Sequence, residues 1–128
     1  MDRRSELDSL ARSLARCLAG LEAWAARGGD LRAAAAVSRQ RRLLRALLRA
    51  GGRRGGRPWG QAGPLSLADL IADEWRLVRA ASAALPHWPA GTPEAVLLAA
   101  LRDDCEQGAL ALRIAAQTDQ GTAPGGKA

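Results

Sequence analysis

The chain reads as an all-α protein, a four-helix bundle, on three observations. Its composition is dominated by Ala, Leu and Arg, with no Phe, no Tyr, three Val and two Ile, a profile that favours helix and disfavours sheet. Apolar residues recur at three-four spacing in four separate stretches. Gly and Pro gather between those stretches. At 128 residues the chain is one domain, large enough to bury roughly two thirds of the surface its unfolded form exposes. The bundle is expected over residues 1–118, followed by a disordered tail, 119–128, of Gly, Pro, Ala and polar residues.

The first helix is predicted from about Ser5 to Arg27, with Leu7, Leu10, Leu14, Cys17, Leu21 and Trp24 in strict three-four alternation. Gly28-Gly29 ends it. Asp30 is a natural N-cap for a second helix, Leu31 to Ala50, with Leu31, Ala34, Val37, Ser38, Leu44, Leu47 and Leu48 inward. So short a hinge makes these two helices antiparallel neighbours. Arg39, Arg42, Arg45 and Arg49 form an exposed basic ridge, while Arg41 lies at the edge of the apolar face.

Residues 51–64 are rich in Gly and form the connection between helices two and three. Fourteen residues reach about 46 Å when extended, enough to run the length of a 20-residue helix of about 30 Å, so helix three can start at either end of the bundle. The segment carries Arg53, Arg54 and Arg57 among glycines, and Trp59. Without a Gly-Lys-Ser/Thr sequence or a preceding strand this predicts a flexible crossover, not a phosphate or nucleic-acid site. The ridge extended by these three arginines is the candidate anion-binding surface; a solvated face is the plainer reading and the one preferred.

Helix three, about Ser66 to Leu85, puts Leu67, Leu70, Ile71, Leu77, Val78 and Ala81 on one line and Glu74 on the same line. It stops before Pro86-His87-Trp88-Pro89, where His87 is expected to face solvent and Trp88, like Trp59, to plug an end of the bundle. Thr92-Pro93 then opens helix four, to about Thr118, as N-cap and first-turn proline. Here Leu97, Leu101, Asp104, Gly108 and Ala115 share a face. A carboxylate on an apolar stripe needs a partner. Cys17, Arg41, Glu74, Asp104 and Cys105 all fall near mid-helix. They are expected to form an interior polar layer in which Arg41 pairs with Glu74, Asp104 or both, the cysteines being small apolar neighbours.

Charge is uneven: residues 1–57 hold fourteen Arg against five acids, and residues 58–128 five basic residues against eight acids. Charged residues at the N-terminus exclude a secretory signal there, and no uncharged run reaches the length of a membrane span, so a cytoplasmic protein is expected. Cys17 and Cys105 are far apart and lack metal-ligand spacing. No nucleophile-base pair can be assembled, and neither a cofactor nor a metal is expected, so the chain is predicted to be non-enzymatic.

Several short motifs carry a resemblance. Gly29-Asp30-Leu31-Arg32, Gln40-Arg41-Arg42-x-Leu44, Gly55-Gly56-Arg57-Pro58, Glu74-Trp75-x-Leu77 and Asp104-Cys105-Glu106-Gln107-Gly108 together resemble a bacterial ferritin-like family of unknown function, over about residues 5–117. The members are stress-associated relatives of the di-iron carboxylate proteins. The resemblance implies a ferritin-like bundle and a binding or structural role in a stress-related setting. The di-iron relatives use a Glu from two helices and Glu-x-x-His from two others. This chain lacks that set: its single His lies in a turn, and Ala72-Asp73-Glu74-Trp75 stands where relatives place a His before the Trp. A metal-binding ferritin-like protein is therefore an alternative rather than the first reading. The first hairpin, with Ala26-Arg27-Gly28-Gly29-Asp30-Leu31, is also similar to the helical chaperones of flagellar and type III export, which implies a helical protein partner. The expected partners are a second copy of the chain or such a helix.

Overall fold

The structure is a computed structural model of the chain, and it describes residues 3–28, 31–51 and 66–121. Among these residues all regular structure is helical: α1 (Arg3–Ala26), α2 (Leu31–Ala50), α3 (Leu67–Ala84), a 3-10 turn (Leu85–His87) and α4 (Pro93–Gly121). Helix α4 passes the expected stop at Thr118, so residues 119–121, read from the sequence as disordered, belong to it. Asp30, the connection 52–65 with Trp59, Arg53, Arg54 and Arg57, and the tail 122–128 lie outside the described residues.

The helix ends follow local chemistry. Ser66 is extended (φ −117°, ψ 160°) and its Oγ accepts the Asp69 N–H at 3.1 Å, which caps α3. Thr92 Oγ1 accepts the Ala95 N–H at 3.2 Å and donates to the Pro89 carbonyl at 2.8 Å, with Pro93 in the first turn of α4. Gly28 takes φ 106° just past α1, a left-handed conformation that turns the chain toward α2 and that side chains resist.

Each helix buries one stripe because none can cover its own apolar face. In α1 it is Leu7, Leu10, Leu14, Cys17 and Leu21. In α3 it is Leu70, Glu74, Leu77, Ala81 and Ala84, and in α4 Leu98, Leu101, Cys105 and Leu112. In α2 the buried line is Ala33, Val37, Gln40 and Leu47, turned by one position from the expected face; Ala34 and Ser38 are exposed.

The core divides into two ends. One cluster joins Leu7, Leu10 and Leu14 of α1, Leu47 of α2, Ala81 and Ala84 of α3, and Leu98 of α4. The other joins Leu18 and Leu21 of α1, Val37 of α2, Leu70 of α3 and Leu112 of α4. So α1 and α4 run one way and α2 and α3 the other. Neighbouring contacts are α1 with α2, α3 with α4, α1 with α3 and α2 with α4, which makes every neighbouring pair antiparallel. Gly51 and Ser66 consequently sit at opposite ends of the bundle. At the first end Trp88 packs on the core with the Arg3 guanidinium 5.2 Å from its ring centroid, and exposed His87 pairs with Glu6 at 2.9 Å.

Candidate functional site

Midway along the bundle the buried stripes place a thiol, an amide, a carboxyl and a glycine at one level. Cys17 on α1, Gln40 on α2 and Glu74 on α3 are each at most 1 % exposed. Cys17 Sγ donates to Glu74 Oε1 at 2.9 Å and Gln40 Nε2 donates to the same oxygen at 2.6 Å. The other oxygen, Oε2, lies against Gly108 of α4, where any Cβ would overlap it. Gly108 thus supplies the space that the carboxyl occupies. Cys105, one turn earlier on α4, is fully buried. Gln40 Oε1 is buried with no hydrogen bond.

No cation pairs with Glu74 among the described residues, so burial dominates its titration and raises its pKa from 4.5 to about 7. Hydrogen bonds from Cys17 and Gln40 oppose the rise, and Asp104 and Asp73 add to it. Burial, then the nearby Glu74, pushes the Cys17 thiol well up, and burial followed by Glu74 and Asp104 does the same to Cys105. Both thiols are therefore protonated at neutral pH and are poor nucleophiles.

Of the residues expected in the interior layer, Cys17, Glu74 and Cys105 come together. Arg41 does not join them: it is exposed, and its Nη2 and Nε donate to Glu22 Oε2 at 2.6 and 3.0 Å. Asp104 is on the flank of α4, bonded to Arg39 Nε at 2.6 Å. Cys17, expected as an apolar neighbour, is a hydrogen-bond donor. Asp73, buried beside Glu74 in sequence, bonds Arg76 at 2.7 Å and has Arg16 at 3.7 Å, so its charge is compensated from the surface. Gln40 is the partner the sequence reading missed. Its signal was the alternation Ala33, Val37, Gln40, Leu44, Leu47, which puts an amide on the inner stripe.

Of the basic ridge, Arg39 is committed to Asp104, while Arg42, Arg45 and Arg49 are exposed and make no ion pair among the described residues. Between α2 and α4 an open groove of about 260 Å³ is lined by Arg39, Arg42, Leu43, Ala100 and Asp104. No described helix is long and apolar enough to cross a membrane. Among the described residues no group of three His, Cys, Asp or Glu is placed to hold a metal ion. No family model, curated protein or solved structure matches the chain.

Proposed function

We propose that the chain is a ferritin-like bundle with a binding or structural role, not an enzyme, in which the Cys17–Gln40–Glu74 layer takes the position where relatives hold metal. The observation that carries this reading is the commitment of Glu74: one oxygen accepts two interior donors and the other is packed on Gly108. The helix directions support it too, since two antiparallel hairpins joined so that α2 and α3 run parallel need one long crossover, as in ferritin-like bundles. The donor set fits a di-iron centre poorly. Redox-active iron is held there by several carboxylates and imidazole, whereas this layer offers one carboxyl, two protonated thiols and an amide, and His87 lies at the end of the bundle. The stress-related setting and a cytoplasmic location rest on the sequence reading alone. The export-chaperone reading has less support, because the apolar stripes of α1 and α2 are packed against α3 and α4 rather than open.

Metal analysis of protein purified without chelators tests the reading. Iron and manganese well below one equivalent per chain are expected. A stoichiometric amount that falls when Glu74 is replaced by Ala would establish the metal-binding alternative instead.

A further inference from the structure

The side of the bundle formed by α2 and α4 holds the groove above, and its exposed positions are small or apolar with charges of opposite sign on the two helices. On α2, Ala35, Arg39, Arg42 and Ala46 follow one another at three-four spacing, and all but half-buried Ala46 are exposed. On α4, Val96, Ala100, Asp103 and Gln107 do the same, continued by Ala111 and Ile114; Val96 is 61 % and Ile114 54 % exposed. Val96 and Ile114 thus face water on the same side of α4 as Ala100, which lines the groove. The charge pattern identifies what fits it: a basic helix next to an acidic one matches its own copy rotated by half a turn.

We propose that this face is an isologous dimer interface, with a two-fold axis parallel to the helices, so that α2 of one copy lies on α4 of the other. Such an axis keeps every residue at its own height. Within one copy the Arg39–Asp104 bond, and the approach of Gln40 and Gly108 to the same Glu74, fix which residues of α2 and α4 are level. Across the dimer that register sets Arg42 opposite the partner's Asp103, Ala46 opposite the partner's Ala100, and Ala35 beside the partner's Ala111. Small residues meet small ones, which lets the helices approach closely. A guanidinium that makes no ion pair among the described residues meets a carboxylate bonded within its own copy to the adjacent, half-buried Arg102, 3.2 Å away. The two-fold repeats each contact. Two helices side by side, each about 10 Å across and in contact for about 25 Å, form a patch near the lower limit of specific interfaces, about 1,200 Å² in total. The dimer is accordingly concentration-dependent and weakened by salt.

Sedimentation equilibrium of the full chain, at low and high salt and over a wide concentration range, tests this. The wild type is expected to dimerise. Arg42→Glu and Asp103→Arg should each weaken the dimer by about tenfold or more, whereas the doubly exchanged chain, Arg42→Glu with Asp103→Arg, should regain near wild-type association. Both positions are exposed, so circular dichroism should be unchanged in all four proteins. A chain that stays monomeric at every concentration would overturn the proposal and leave the face to another protein. A dimer indifferent to the single exchanges, or one not rescued by the double exchange, would overturn it equally.

Discussion

Glu74 and Gly108 constrain each other across the α3–α4 interface. Replacing Gly108 by Ala raises helix propensity by about 1 kcal/mol, but the new methyl overlaps a carboxyl oxygen whose side chain is pinned by Cys17 and Gln40. Overpacking of this kind costs about 1–3 kcal/mol, so Gly108→Ala is expected to destabilise the wild type. With Glu74 replaced by Ala the space is empty, and the same Gly108→Ala change is expected to stabilise by up to about 1 kcal/mol. Urea unfolding of the four proteins measures the sign change. Equal effects in both backgrounds would mean that the carboxyl does not rest on Gly108. How Gln40 and Arg41 exchange the roles expected of them has a local cause. Ala33 to Ala36 give no phase, and the adjacent pairs Leu43-Leu44 and Leu47-Leu48 fit two stripes equally well. One stripe continues through Gln40 and the other through Arg41; burial decides, since the amide loses less hydration than a guanidinium that cannot be neutralised.

Among the elements, the buried face of α1 was legible, because Leu7, Leu10, Leu14, Cys17 and Leu21 have mostly polar or small residues between them and admit one phase. Helix α4 was legible in extent at its start and ambiguous in face, because Leu and Ala occur all around it: Leu98, Leu101 and Cys105 are buried while Leu110 remains 42 % exposed. The N-cap of α4, Thr92 before Pro93, was plain from residue type, whereas that of α3 came with the structure. Ser66 satisfies the Asp69 N–H at the start of α3, and Ser66→Ala is expected to lower stability by about 1 kcal/mol, whereas Ser66→Asp should keep most of it. A urea midpoint unchanged in Ser66→Ala would show that α3 begins without that cap. The end of the bundle at which α3 begins was beyond the sequence, since fourteen residues suffice for a start at either end. The packing of Leu70 with Leu21 and Val37, and of Ala84 with Leu7, sets it.

For the molecule as a whole, a buried carboxyl without a cation makes stability depend on pH in a direction opposite to that of a salt-bridged one. The folded state holds the Glu74 proton up to about pH 7, while the ordinary value is 4.5. Its contribution is therefore fully present below about pH 4.5 and is lost as pH rises through 7, a change on the order of 3 kcal/mol. The other titrating groups contribute to both proteins alike when wild type is compared with Glu74→Gln, so the difference between them isolates the layer on which the proposed role depends. The decisive measurement is the unfolding free energy of the two proteins by urea, at intervals from below pH 5 to above pH 8. The wild type should lose stability relative to Glu74→Gln across that range and run parallel to it above about pH 8. Parallel curves throughout, or a wild type that gains relative stability as pH rises, would contradict a cation-free carboxyl at the centre of the bundle.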